Sequence, residues 1–198
     1  CIRDRAKQVQ SIQQLSNNRF DFGVGISPWE EDFAVCGVPW EKRGKRFDEQ
    51  IDIVRGLESG EFFGYDGEIH QMPANKMCPV PTSPTEILIG GHAEPALKRA
   101  ARVGDGWMCA GADMEQLGAY IRRINELREE YGTADKPFRV FTTGQNAFTK
   151  EGIEELESIG VTDVIIAFRN VYEMEPDHSL EQKIQMMNWY AGEFVNAA

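Results

Sequence analysis

The first residues whose spacing could serve chemistry lie in RFDFGVGISPWEEDF, Arg19 to Phe33, where Gly23 and Gly25 close an apolar segment. Two glycines so spaced after a strand begin a dinucleotide-binding fingerprint, but its third glycine would fall on Pro28. Proline gives up its backbone N–H, fixes φ and biases Ser27 away from helix, so the turn cannot run straight into a phosphate-cradling helix. A strand end stripped of side chains still lets a flat ligand approach the backbone. Ser27 would add a hydroxyl to that ligand and Trp29 an apolar wall; the alternative is a strand-ending turn that only needs positive φ. A second constellation, Ile89-Gly90-Gly91-His92, stands immediately before a segment with Pro95 suited to a first helical turn. Backbone N–H groups at such a junction, with a helix dipole behind them, can take phosphate or the polar atoms of a ring. His92 reads equally as a ligand contact or as a solvated loop residue. His70 and His178 read as surface residues, Asp105 as a carboxylate that satisfies backbone donors, and Trp107 as core.

Composition narrows the partners. A net charge of −11 over 198 residues opposes nucleic acid and anionic membranes and favours a small-molecule partner. No apolar run is long enough to span a bilayer. The four cysteines, Cys1, Cys36, Cys78 and Cys109, include no C-x-x-C pair, so neither a zinc site nor a disulfide framework is indicated and a reducing cytoplasm is expected. No metal-binding constellation stands out, and the acidic run Glu151 to Glu157 reads as an exposed helix face.

The elements that must hold these residues follow from periodicity. A polar helix over about Ala6 to Leu15 precedes a strand at Phe20–Gly25, and Phe47, Ile51, Val54 and Leu57 mark an amphipathic helix ending near Ser59-Gly60. Asp66-Gly67 suits a tight hairpin turn between Phe62–Tyr65 and Glu68–His70, followed by a proline-rich connector, Pro73 to Pro84. From Glu86 the order is regular: strands 86–89, 106–108, 138–143 and 163–168 alternate with helices 94–102, 113–131, 151–159 and 180–195. Leu117, Ile121, Ile124 and Leu127 form one apolar stripe, and Leu180, Ile184, Met187, Ala191 and Phe194 another. Ser179 with Gln182 makes a capping box, Asp113 and Thr149 suit N-caps, and Gly160 suits a C′ position. Alternation of this kind implies a single domain with a parallel sheet buried on both faces. Five strands fit either the later part of a (β/α)8 barrel or an open doubly wound sheet.

The blocks FGVGISPWEEDFAVCGVPWEKRGKRFDEQIDIVRGL, YDGEIHQM and PTEILIGGHAEPALKRAARVGDGWM, in that order, resemble the luciferase-like monooxygenase superfamily. Ser27-Pro28-Trp29 and the segment Glu41 to Arg46 are most similar to the branch that depends on coenzyme F420. The resemblance runs from about Ala6 to the C-terminus. It implies an α/β fold, a (β/α)8 TIM barrel present as an incomplete barrel of about strands 4 to 8, with residues 61–84 as an insertion and 1–198 as one domain truncated at its N-terminus. It also implies an oxidoreductase that passes hydride between F420 and a small organic substrate, or a monooxygenase that uses FMN. Gly23, Gly25, Ser27, Gly90, Gly91 and His92 are the implied cofactor contacts. The catalytic acid or base is unknown and is expected on the front strands. Open sheet edges leave a homo-oligomer, or a non-catalytic flavin-binding protein, as further expectations.

Overall fold

The computed structural model describes residues 2–144, 146–169 and 177–195. Its centre is a five-stranded sheet in the order β1 (Asp21–Val24), β4 (Glu86–Gly90), β5 (Gly106–Cys109), β6 (Arg139–Thr143) and β7 (Asp163–Ile165), every neighbouring pair parallel. Parallel neighbours need crossovers, and helices supply them. The helix α1 (Ile2–Leu15) precedes β1; α2 (Glu30–Val35) and α3 (Arg43–Glu58) follow it, and α4 (Glu94–Val103), α5 (Met114–Tyr131) and α6 (Lys150–Ser158) join the later strands. The last helix, α7 (Leu180–Tyr190), continues as one π-helical turn, Ala191–Val195.

The strand order follows the chain without reversal, so the sheet has no switch point of the doubly wound kind. Its two faces also differ. Ile87, Ile89, Trp107, Cys109 and Val140 belong to the buried apolar core shared with Ile51, Val54 and Leu57 of α3, Leu97 and Ala100 of α4, and Leu117, Ile121 and Ile124 of α5. On the other face Arg139 reaches Asp21, Glu86 and Asp163 across the strand ends. A sheet covered by helices on both faces, as alternation alone suggests, would bury those charges. One covered face and one polar face is the arrangement of a barrel wall, here not closed into a ring among the described residues.

The hairpin differs from its sequence reading. Strands β2 (Phe63–Asp66) and β3 (Gln71–Asn75) pair antiparallel, so the second strand begins after His70 and includes Pro73. The turn is a longer loop, closed by Gly67 N–H on His70 C=O at 2.8 Å. Its cause is Glu49 of α3, whose buried carboxylate accepts N–H groups from Glu68 at 2.8 Å, Ile69 at 3.1 Å and His70 at 2.8 Å. A carboxylate sealed from water needs such donors, and the loop is shaped to provide them. Burial alone would raise the Glu49 pKa; the three N–H groups and Lys45 outweigh it and hold the carboxyl below its usual range.

Helix ends follow local chemistry. Asp113 accepts from Gln116 N–H, Thr149 accepts from Gly152 N–H, and Ser179 with Gln182 forms a complete capping box. Gly160 closes α6 at φ +101°. The strand expected over 163–168 ends at Ile165. The apolar stripe of α7 stays open to water, Leu180 being 67%, Ile184 48% and Met187 62% exposed. Among the described residues the helix packs at its far end, where Tyr190 meets Phe148 and Phe168 edge-on and lies 4.7 Å from Phe194.

Candidate functional site

The C-terminal ends of parallel strands are where such sheets place their ligands, because helix N-termini and free loops meet there. In β1 and β4 the side chains alternate across the sheet, so Gly23 and Gly25 share the face of Asp21, and Gly90 shares that of Glu86. The pairing of Val24 with Ile89 brings Gly25 beside Gly90. Gly25 and Gly90 leave this part of the face without side chains of their own. A Cβ built on Gly25 would meet nothing nearer than the Gly90 carbonyl oxygen at 3.8 Å, and one on Gly90 nothing nearer than the Val24 oxygen at 3.5 Å. Neither glycine is therefore demanded by the packing of the protein itself. At Gly23 the added atom would come to 3.1 Å from Met108 Sδ, so Met108, which pairs with Gly90 and projects on this same face, covers Gly23 and borders the open surface of Gly25 and Gly90.

Beside this platform a cleft of about 580 Å³ opens between β1, β4 and the starts of α3 and α4. It collects Ser27, Gly90, Gly91 and His92 from the residues read as cofactor contacts, whereas Gly23 and Gly25 line a neighbouring cavity of about 380 Å³ between β1, α1 and α3. The six therefore surround one strand end from two sides. Ser27 donates its hydroxyl hydrogen to Asp32 and accepts from Trp29 N–H at 3.2 Å, so its proton is committed within the loop. Gly91 has φ +120°, a conformation in which a side chain is strained. Its carbonyl accepts the indole N–H of Trp107 at 2.9 Å, which fixes the turn from below. The N-cap of α4, Ala93, has no side-chain acceptor to spend on the first amides of the helix, and Pro95 lies in the first turn.

Three residues or segments at this cleft stand differently from a plain reading of the sequence. His92 borders it, but its ring stacks on Tyr120 at 5.2 Å and 8° and places Nε2 3.4 Å from Cys109 Sγ, against the helices. Trp29, expected as an apolar wall, stands 59% exposed, and Trp40 lines the cleft in its place. The mixed-charge run 41–46 is more than a solvated helix start. Lys42 and Arg43 border the cleft, with Arg43 3.6 Å over the Trp40 ring. Lys42 pairs with Glu68, which raises its pKa and keeps it cationic. Below them Arg99, 6% exposed, binds Asp48 at 2.7 Å and the Gly44 carbonyl at 3.3 Å, tying α4 to α3. The signal available in the sequence was four cations, Lys42, Arg43, Lys45 and Arg46, gathered within five residues of an acidic chain.

His70 also departs from a plain surface reading: it is half-buried, and its Nε2 is enclosed without a hydrogen-bond partner. Asp105 accepts from Ile87 N–H at 2.8 Å and pairs with Arg55, at the opposite end of the strands from the cleft. Among the described residues no group of three or more His, Cys, Asp or Glu could hold a metal ion, and no helix is long and apolar enough to cross a membrane.

Residues 5–197 match the family described as luciferase-like monooxygenase. An uncharacterized protein of Mycobacterium tuberculosis is 49% identical over 187 residues, which span 94% of this chain and 64% of that relative. An FMNH2-dependent dimethylsulfone monooxygenase of Pseudomonas fluorescens is 28% identical over 165 residues, 81% of this chain and 43% of the relative. Among solved structures, an F420-dependent secondary alcohol dehydrogenase in complex with an F420-acetone adduct is similar with a TM-score of 0.67 and 16% identity, covering 81% of this chain and 67% of that one. That likeness is one of fold. The chain spans less than two thirds of the length of the mycobacterial relative.

Proposed function

The chain belongs to the luciferase-like monooxygenase family, and on that premise we propose that it contributes the cofactor-holding side of an oxidoreductase that passes hydride between F420 and a small organic substrate. The observation that carries this reading is the open backbone surface of Gly25 and Gly90, with nothing nearer than 3.5 Å to an added Cβ on either, beside a cleft that Gly90 also lines. A flat tricyclic ring lies against such a backbone surface without displacing any side chain. Gly91 and Glu94 offer amide donors to the polar part of the cofactor, since Pro95 has no N–H and Ala96 donates to Ala93 C=O, and Lys42 and Arg43 supply positive charge nearby. Tied down by Asp48, Arg99 keeps the two helices bordering the cleft at fixed separation. When bound, the deazaflavin ring of F420 supplies hydride chemistry; the protein's task is to hold substrate against the ring and exclude water.

A second reading, an FMN-dependent monooxygenase, is favoured by the FMNH2-dependent relative at 28% identity. The platform suits either ring. Titration of the chain with F420 and with FMN, followed by ring fluorescence, separates the two: saturable binding of F420 in preference to FMN supports the first reading, the reverse preference supports the second, and binding of neither rejects the cleft as a cofactor site.

A further inference from the structure

We propose that Cys109 is a positioning residue for His92: its thiol donates to His92 Nε2 and holds the imidazole as the neutral tautomer with its proton on Nδ1, a donor offered to an oxygen acceptor in the cleft. The inference rests on the reading of that cleft as the cofactor site. Cys109 ends β5 on the helix-covered face, is 2% exposed, and lies with Sγ 3.4 Å from His92 Nε2. A thiol sulfur is a weak acceptor and an unprotonated imidazole nitrogen a good one, so the pairing at 3.4 Å is best satisfied with S–H donating and Nε2 accepting. Burial raises the thiol pKa, so Cys109 keeps the proton that the arrangement needs.

The ring has little freedom to choose otherwise. It stacks on Tyr120 at 5.2 Å and meets Trp107 edge-on at 6.1 Å and 71°, so rotation would break both contacts. Trp107 in turn holds the Gly91 carbonyl at 2.9 Å, which fixes the backbone immediately before His92. Among the described residues Nδ1 has no protein partner, and the half-buried ring borders the cleft beside Gly90 and Gly91. The sequence hid this pairing, because Cys109 and His92 stand 17 residues apart and no spacing pattern links them.

The test is a long-range proton–nitrogen correlation spectrum of the 15N-labelled chain without cofactor. Only three histidines contribute, so the two nitrogens of His92 are assignable by His92→Gln. The Nδ1–H pattern is expected in the wild type, conversion to Nε2–H in Cys109→Ala, and retention of Nδ1–H in Cys109→Ser, which keeps a donor. An Nε2–H pattern in the wild type, or an unchanged pattern in Cys109→Ala, overturns the proposal. If Cys109→Ala does not fold, the wild-type and Cys109→Ser spectra still decide it. Titration with FMN and F420 then separates the two layers of reasoning. Cys109→Ala should bind the preferred cofactor about tenfold more weakly, the scale of one hydrogen bond, with Cys109→Ser near wild type. The expected tautomers without binding of either cofactor would remove the cofactor reading and leave the positioning role standing.

Discussion

Replacing Arg139 with methionine tests the claim that one guanidinium ties the inner face of the sheet together. Arg139 donates to both oxygens of Asp163 at 3.1 and 2.6 Å, to Asp21 at 2.7 Å and to Glu86 at 3.0 Å, linking β6 to β7, β1 and β4. Methionine keeps an apolar stem beside Phe141, over which the guanidinium sits at 4.5 Å, and removes only the charge and its donors. Sheltered charge-assisted hydrogen bonds are worth about 1.5–3 kcal/mol and exposed pairs about 0.2–1. The Arg139 side chain is 34% exposed and its partners 27 to 46%, so the exposed scale governs Asp21 and Glu86 and the forked bridge to Asp163 lies at the meeting of the two ranges. About 1.5 kcal/mol for Asp163 and about 0.5 for each of the others predict a loss of about 2.5 kcal/mol. With a urea m-value of about 2.5 kcal/mol/M, the midpoint should fall by about 1 M. The loss carries a pH signature. The hydrogen bonds from Arg139 hold the Asp163 carboxyl below its usual value, against the opposing effect of partial burial. A depressed folded pKa contributes stability that is present above the unfolded value of about 3.9 and disappears as pH falls through the folded one. The gap between wild type and variant should therefore be full at pH 7 and close as pH drops below about 5 toward that lowered value. The cluster lies at the N-terminal ends of the strands, the stability face, so cofactor binding by the folded variant should be unchanged. A midpoint within about 0.2 M of wild type at pH 7, or a gap that persists through the carboxylate range, would refute the reasoning.

Glu49→Gln should expose the 67–70 loop: the amides of Glu68, Ile69 and His70, protected in the wild type by the carboxylate, should exchange at least several-fold faster by NMR, and unchanged protection would count against the anchoring role. Because the Glu49 pKa is lowered overall, wild-type protection should survive as pH falls to the ordinary carboxylate value and fail only below it. Trp107→Phe leaves the Gly91 carbonyl without its donor and a void in the core; a loss of about 2–3 kcal/mol in urea unfolding is expected, with weaker cofactor binding in the folded fraction. A Cβ on Gly106 would fall 2.6 Å from the Arg139 oxygen and 2.7 Å from Leu88 Cδ2, so Gly106→Ala should cost about 1–3 kcal/mol. Gly25→Val, whose first added atom would stand 3.8 Å from its nearest neighbour, should fold within about 0.5 kcal/mol of wild type and lose cofactor binding; normal binding by that variant would remove the platform from the site.

The parts of the fold legible in the sequence are those set by local chemistry. Asp113, Thr149 and Ser179 cap their helices because each oxygen finds an amide three residues on, within reach before any tertiary contact forms. What escaped was decided by partners distant in the chain. Asp66-Gly67 had the composition of a tight turn, yet Glu49, 19 to 21 residues earlier, draws three amides onto itself and lengthens the loop. Glycines were equally ambiguous as letters. Gly25 stands in open space, Gly106 has no room for a methyl group, and Gly91 needs positive φ, and only the neighbours of each tell them apart.

One signal in the sequence could have separated the barrel wall from the doubly wound sheet. Strands β1, β4, β6 and β7 each open on a charged residue, Asp21, Glu86, Arg139 and Asp163, followed by an apolar one, Phe22, Ile87, Val140 and Val164. Asp21 pairs directly with Glu86 and Gly106 with Arg139, while Leu88 pairs with Gly106 and Phe141 with Asp163, so each step shifts the register by either none or two residues. A shift of two keeps every side chain on its own face, so the four charges gather on one side and the apolar residues on the other. A sheet with helices on both faces would have to bury one cation with three carboxylates under a helix, at a desolvation cost that ion pairing does not reliably offset. The inner wall of a barrel accepts them, because partners from several strands converge there. The same alternation carried upward brings Gly25 and Gly90 onto that wall above the charges, so the residues that exclude the doubly wound fold and those that form the cofactor platform are read from a single period of two.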